Sequence, residues 1–330
     1  MVKIVAANDA SIAEAAALIQ SGDLAVLPTE TVYGLGANAL DGKAVAKIFA
    51  AKNRPSFNPL IVHVADSEDA GKYVEMDARA KKLATVFWPG PLTLILPKKE
   101  TAGISDLVSA GLPTLAVRVP AHKVMQAVLK KSNLPIAAPS ANASGEPSAT
   151  TPKHAAQSLG KNAPFILAAG RCDVGLESTV LDLSGKEAVI LRPGAITPED
   201  LEPYLGNVRI DLGVHDKPEN IKSPGQLLKH YAPCVPVRLN AVDVKEGEAL
   251  LAFGSTKFMA LKTGGYAHDL PESSFKNLSD AGDLNEAAAN LFSMLRELDL
   301  PQHTAIAVMS IPDQGLGIAI NDRLKRAAQG

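Results

Sequence analysis

Over roughly the first two hundred residues, apolar and polar positions switch repeatedly between a helical period and strand-like runs. Ser11–Gln20 reads Ser-Ile-Ala-Glu-Ala-Ala-Ala-Leu-Ile-Gln, an amphipathic, helix-forming stretch that Gly22 stops. Leu24-Ala25-Val26-Leu27-Pro28 then reads as a buried strand, and Asp41 caps a helix running through Phe49. Further strands are expected at Leu60–Val64, Leu92–Leu96, Thr114–Val119, Pro135–Ala138, Phe165–Leu167, Ser178–Leu183 and Ala188–Leu191. Helices are expected at Asp77–Phe87, Val124–Leu129, after Pro152 and at Pro198–Tyr204. The later strands have few helices between them, so the pattern predicts an α/β domain with a mixed sheet.

The periodicity lapses between Asn207 and Pro236, where Pro218, Pro224, Pro233 and Pro236 mark a linker. A second α/β pattern follows. Its strands are Val235–Leu239, Ala249–Phe253, Lys257–Leu261 and Thr304–Met309, and its helices Leu284–Leu298 and Leu316–Ala328. The expected organisation is a domain over 1–206, a linker over 207–236 and a small α/β domain over 237–330. A length of 330 residues suits two domains.

Charge narrows the choice of partner. Residues 1–206 carry twenty basic and twenty acidic side chains, and residues 207–330 carry thirteen and fifteen. Neither half has the basic excess of a protein that coats nucleic acid. Aromatics make up only 4% of the chain, too few for a base-stacking platform. No apolar run reaches the ~18 residues of a membrane span, and Met1-Val2-Lys3-Ile4 leads into polar residues unlike a signal peptide. Cys172 and Cys234 lack CxxC spacing, which fits a reducing cytoplasm.

Two familiar outlines prove to be decoys. Gly34-Leu35-Gly36-Ala37-Asn38-Ala39 has the form of a dinucleotide fingerprint, but Lys52 and Arg54 occupy the region where an acidic residue belongs. Ordinary backbone turning by the glycines is the expected reading. Gly42-Lys43 resembles the end of a P-loop, but Ala37 and Ala44 remove its first glycine and its Mg²⁺ hydroxyl. The histidines and cysteines show no metal-ligand spacing.

Four polar clusters remain. Pro28-Thr29-Glu30-Thr31-Val32-Tyr33-Gly34-Leu35 crowds hydroxyls and glycines at a strand end; it is a locally bonded turn or a ligand site. Lys52-Asn53-Arg54 closes a helix, and complementing the helix dipole or gripping phosphate oxygens would each explain it. Arg118 lies in an apolar β-run and needs an anionic partner; a structural Asp or Glu is the somewhat stronger candidate on that segment alone, a ligand carboxylate the other. Ala138-Pro139-Ser140-Ala141-Asn142-Ala143-Ser144-Gly145-Glu146-Pro147-Ser148 is a surface loop or a set of backbone donors for phosphate.

Taken together, these segments resemble a known family. Pro28–Gly36, Lys52-x-Arg54, Trp88-Pro89-Gly90-Pro91-Leu92-Thr93, Ser140-x-Asn142, Glu177-Ser178-Thr179-Val180 and Leu191-Arg192-Pro193-Gly194 stand in the order and spacing of the YrdC-type domain. That resemblance covers about residues 8–206. Ser223-Pro224-Gly225 to His230-Tyr231-Ala232-Pro233, followed by a small α/β domain, is similar to the two-domain form of the threonylcarbamoyl-AMP synthase family. The implied fold is a YrdC-like twisted mixed sheet with flanking helices, plus a smaller Rossmann-like C-terminal domain. The implied reaction condenses L-threonine, bicarbonate and ATP to threonylcarbamoyl-AMP and pyrophosphate. The implied downstream partner is a tRNA threonylcarbamoyltransferase that modifies the adenosine beside the anticodon.

The resemblance also implies residue roles. Lys52 and Arg54 are the expected catalytic cations. They match nucleotide-facing positions together with Asn58, Thr114, Ser140, Asn142, Ser148, Arg192 and the linker residue Tyr231, which in the family folds over the pocket. Thr31, His63, Arg118 and Ser178 match threonine-binding positions. Mg²⁺ is expected on the ATP phosphates, with no protein metal site. Ala138 stands where some relatives carry a hydroxyl. The alternative is an RNA-binding module of the same domain type, with at most weak RNA contact given the balanced charge. Carbamoyl transfer in hydrogenase maturation would call for a Cys-rich region, which this sequence lacks.

Overall fold

The computed structural model describes residues 2–55, 57–163, 165–213, 223–225, 230–257 and 259–330. They form two compact units. The described residues of the first fall within 1–144, 149–173 and 177–225, and those of the second within 145–148, 174–176 and 230–330.

The first unit is built on strands β1 (Lys3–Ala6), β2 (Ala25–Leu27), β3 (Gly34–Asn38), β4 (Ile61–His63), β5 (Leu92–Pro97), β6 (Thr114–Arg118), β7 (Ile136–Ala137), β8 (Phe165–Ala168), β9 (Thr179–Asp182), β10 (Val189–Arg192) and β11 (Arg209–Ile210). They make one sheet in the order β1-β8-β2-β3-β7-β4-β6-β5-β9-β10-β11. Its pairings are mixed: β4 and β6 run parallel, whereas β5 and β6 run antiparallel. Helices α1 (Asp9–Gln20), α2 (Gly42–Lys52), α3 (Ser67–Tyr73), α4 (Ala78–Phe87), α5 (Asp106–Ser109), α6 (Lys123–Ser132), α7 (Pro152–Leu159) and α8 (Pro198–Leu205) complete the unit.

Local chemistry sets the helix ends. α1 starts before the expected Ser11, because the Asn8 side chain accepts from Ser11 N while Ser11 Oγ accepts from Asn8 N. α2 runs on to Lys52, where Asn53 leaves the helix in the left-handed region at φ 49°. β3 is a correction to the sequence reading. Gly34 and Gly36 are strand residues and make no turn. A Cβ at Gly36 would lie 3.0 Å from both Leu27 Cδ1 and Ile136 Cγ2, so glycine lets the neighbouring strands' side chains close over it.

The two sheet faces differ. Val26, Leu35, Ala37, Val62, Leu94, Val117, Leu181 and Ile190 face the main core, which also includes Val45 and Ile48 of α2 and Leu83 of α4. On the opposite face, Ile19 of α1 and Met125, Val128 and Leu129 of α6 pack with Ala25, Leu27, Ile136 and Phe165. The other half of that face carries an apolar cluster made of strand residues: Ile61, Ile95, Ala116, Val180, Val189 and Leu191.

The second unit has a parallel sheet of β12 (Val237–Arg238), β14 (Glu248–Ala252), β16 (Phe275–Asn277) and β17 (Ala305–Val308), in the order β12-β17-β14-β16. A separate pair joins β13 (Asp243–Val244) to β15 (Ala260–Leu261). Helices α9 (Leu284–Leu298) and α10 (Leu316–Ala327) supply Leu291, Phe292, Leu295, Ile320 and Leu324 to its core. This is the expected small Rossmann-like arrangement.

β11 pairs in parallel with β10 and carries the first sheet past 206. Within the expected linker, residues 214–222 and 226–229 lie outside the described residues.

Candidate active site

Strand register gathers the polar residues of the first unit on one face. His63 of β4 pairs with Arg118 of β6. The antiparallel register that pairs Leu94 with Val117 sets Thr93 opposite Arg118, and β5 pairs Thr93 with Val180. Arg192 pairs with Val180 in turn. Directly opposed residues leave a sheet on the same side, so His63, Arg118, Thr93 and Arg192 form a polar row beside the apolar strand cluster. A bulge between Ile190 and Arg192 shifts the register and aims Arg192 into that row. Thr114 lies on the same face at the other end of β6, about 13 Å along the strand from Arg118.

Arg118 is the hub, and it is buried. Its Nε donates to Gly90 O at 3.1 Å, Nη1 to Thr31 Oγ1 at 2.9 Å, and Nη2 to Glu30 Oε1 at 2.5 Å. Glu30 is therefore the anionic partner that an arginine in an apolar strand demands. Burial works to raise the Glu30 carboxyl, yet the Arg118 charge and hydrogen bond, with backbone donors, hold it below the usual range. The turn is pinned from within. Thr29 Oγ1 donates to Val32 O at 2.6 Å and lies 2.8 Å from Thr31 Oγ1.

His63 is neutral. Burial and the adjacent Arg118 charge push its pKa down to about 3, against partial opposition from Glu30. Glu30 Oε2 and His63 Nδ1, both beside Arg118, have no hydrogen-bond partner within the protein, and neither has the buried Asn58 Oδ1 that precedes β4. Buried polar groups are normally satisfied, so the two open atoms beside Arg118 are places a polar ligand could fill.

Ser178 is held between two neighbours. Its Oγ lies 2.7 Å from Thr93 Oγ1 and accepts from Arg192 Nη2 at 3.1 Å, while Arg192 also donates to Ser178 O. Gly194 is required nearby, because a Cβ there would sit 2.4 Å from Thr179 N and 2.6 Å from Glu177 O.

Lys52 and Arg54 shape loops. Lys52 Nζ donates to Ser140 O at 2.5 Å and to Asn142 O. Arg54 Nη2 donates to Pro59 O at 3.1 Å and Nε to Asn58 O at 3.4 Å. The 138–142 loop is tied to the Thr31 turn by Leu35 N to Pro139 O at 2.8 Å and Ala141 N to Tyr33 O at 2.7 Å. Ala138 has only a methyl at its position, and its backbone N donates to Ile61 O.

Thr31, Lys52, Arg54, Asn58, His63, Thr114, Arg118, Ser140, Asn142, Ser178 and Arg192 thus belong to the first unit. Ser148 and Tyr231 do not; both are buried residues of the second unit. Tyr231, at φ 63°, stacks at 5.3 Å on Phe292 and lies 5.6 Å from the Arg323 guanidinium carbon. Among the described residues no group of three or more His, Cys, Asp or Glu side chains could hold a metal ion.

Residues 17–194 match the Sua5/YciO/YrdC family model, described as "Telomere recombination", and residues 196–329 match the threonylcarbamoyl-AMP synthase C-terminal domain. The chain belongs to the threonylcarbamoyl-AMP synthase family. The Bacillus subtilis threonylcarbamoyl-AMP synthase is 42% identical, over 98% of this chain and 94% of the relative. The Schizosaccharomyces pombe enzyme of the same name is 36% identical, over 95% of this chain and 87% of its own. The crystal structure of Pyrococcus abyssi Sua5 complexed with L-threonine superposes with a TM-score of 0.87 at 37% identity, covering 100% of this chain and 98% of that one.

Two residues of this family member escaped the sequence reading. Glu30 sits inside a motif that was singled out, and the need of Arg118 for an anion was the signal that could have found it. Thr93 closes the Trp88–Thr93 motif, and only the register with β6 shows that it faces the site. Burial pushes the Cys172 thiol well above its usual range, which leaves no thiolate nucleophile there.

Proposed function

We propose that this chain is an L-threonylcarbamoyladenylate synthase, a nucleotidyltransferase that converts L-threonine, bicarbonate and ATP to threonylcarbamoyl-AMP and pyrophosphate. One observation carries the reading. In a fold matched end to end by a relative complexed with L-threonine, Thr31, His63, Arg118 and Ser178 stand in one buried network or row. Relatives named as synthases favour this over an RNA-binding module.

The chemistry suits the site. Bicarbonate and the threonine amine give a carbamate and water, and a carbamate oxygen then attacks the α-phosphorus of ATP as pyrophosphate leaves. Both partners are anionic, so fixed cations are needed to hold them in line and to stabilise the charge that develops. Arg118 takes the amino-acid carboxylate while Glu30 and Gly90 fix its guanidinium plane. Neutral His63 adds no third charge and offers Nδ1 to the amine or carbamate. Lys52 and Arg54 brace the loops at 140–142 and 58–59, whose polar groups meet the nucleotide with Arg192. Ser148 and Tyr231 are assigned to ATP on the resemblance. Mg²⁺ enters as MgATP on the triphosphate. A tRNA threonylcarbamoyltransferase would consume the labile product, and a cytoplasmic setting suits that partner. No described helix is long and apolar enough to cross a membrane.

The test is pyrophosphate release by purified protein with MgATP, with mass-spectrometric detection of the adenylate. Release must depend on both L-threonine and bicarbonate. Its absence from folded protein overturns the reading.

A further inference from the structure

We infer that Thr93 is a substrate-binding residue, the end of a hydrogen-bond chain that runs from Arg192 through Ser178 to the carboxylate of the amino acid. The inference rests on the threonine reading above and deepens it. Thr93 and Ser178 are both buried, at 0% and 1% exposure, and they share one hydroxyl–hydroxyl bond of 2.7 Å. Each hydroxyl has one proton, so whichever donates in that bond, one O–H is left without an acceptor in the protein. The pair can therefore offer a ligand a donor, and the matching ligand atom is an acceptor oxygen.

Arg192 decides which hydroxyl provides it. Its Nη2 donates to Ser178 Oγ, which makes that oxygen a poorer acceptor and its proton a better one to give. The head-to-tail order Arg192 to Ser178 to Thr93 follows, since each link polarises the next. Thr93 Oγ1 then holds the free proton. Thr93 also stands opposite Arg118, the residue assigned to the carboxylate, on the same sheet face. A carboxylate has acceptor capacity for both donors.

The experiment compares Thr93→Val, which keeps the shape and removes the hydroxyl, with Thr93→Ser, which keeps the hydroxyl. A hydrogen bond to a charged group predicts that Thr93→Val raises the KM for L-threonine about tenfold or more and leaves the KM for ATP within about threefold. Thr93→Ser should stay close to the parent. Calorimetric titration of the full chain with L-threonine and with L-threoninol, which replaces the carboxylate by an alcohol, reads the carboxylate contact directly. The preference for L-threonine should shrink about tenfold in Thr93→Val. Thr93→Ala also removes the hydroxyl, in a smaller side chain, and should reduce the same preference, which keeps the test open if Thr93→Val does not fold. Unchanged preference in these variants, equal rises in both KM values, or a Thr93→Ser no better than Thr93→Val would overturn the inference. Because the titration needs no turnover, it separates failure of this inference from failure of the synthase reading, which the absence of pyrophosphate release in the parent would signal.

Discussion

Each unit pairs an arginine with a buried carboxylate, Arg118 with Glu30 and the half-buried Arg238 with Glu248, and the two pairs are finished differently. In the second unit Arg238 Nε donates to Glu248 Oε1 at 2.8 Å and Nη2 to Glu248 Oε2 at 2.5 Å. Glu248 Oε2 also accepts from Lys245 N at 2.8 Å, so the carboxylate is closed on both oxygens. In the first unit Arg118 engages one oxygen of Glu30, while Glu30 Oε2 and the neighbouring His63 Nδ1 have no partner. A completed pair fixes a loop between two strands. The incomplete one leaves an acceptor open beside a row of hydroxyls and cations, the surface proposed above to take threonine. Burying a charge does not by itself make a site; what sets Glu30 apart is an open oxygen beside Arg118 and His63.

The sharpest way to break this contrast is to remove each arginine's role in turn. Arg118→Ala leaves Glu30 buried without its cation and should lower stability by about 3–5 kcal/mol. In whatever protein still folds, use of threonine should fall more than binding of ATP; equal losses in steady-state kinetics would contradict the assignment. Glu248→Ala should cost about 2–3 kcal/mol in denaturant unfolding, somewhat discounted because Arg238 keeps part of its side chain in water. Its activity per folded molecule should be that of the parent, and a selective rise in the threonine KM would erase the distinction between the pairs.

Acid supplies a milder probe. Folded His63 titrates at about 3, against an ordinary value of 6.5. The unfolded chain therefore takes up this proton first, and stability is full above about pH 6.5 and declines as pH falls towards 3. The loss between pH 6.5 and 5 should be about 2 kcal/mol, and His63→Gln should abolish that component in pH-dependent melting. Glu30 acts in the same direction at lower pH: its contribution is present above the ordinary carboxylate range and vanishes as pH drops through its depressed value. The smallest expected effect lies in the second unit, where the Asp299 carboxylate accepts from Cys234 N and Val235 N at 2.9 and 3.0 Å. Asp299→Ala should cost about 1 kcal/mol in thermal unfolding and leave catalysis unchanged.

Long periodic segments were the most legible in the sequence. Leu284–Leu298 is a helix over the expected residues, because its apolar stripe and the Asp283 cap agree. The misses were tertiary in origin. Gly34–Asn38 has poor strand propensity and became a strand because β2 and β7 pair with it. The two-residue β11 stood inside a proline-rich stretch and exists through its pairing with β10. At the site, Lys52-x-Arg54 was visible as a pair of cations, but their donation to carbonyls at Ser140, Asn142, Asn58 and Pro59 depends on residues up to ninety positions away. Composition and spacing left each polar cluster ambiguous; the register shows which of the strand side chains share one face.

The family models meet between residues 194 and 196, yet the compact second unit also includes 145–148 and 174–176. Leu176 is a core residue there, and a Cβ at Gly175 would come within 2.5 Å of Ala289. During synthesis Leu176 leaves the ribosome roughly ten seconds before the helix that will enclose it. The second unit thus cannot finish its core from its own contiguous stretch, and a fragment cut at the sequence boundary would start life missing part of its interior.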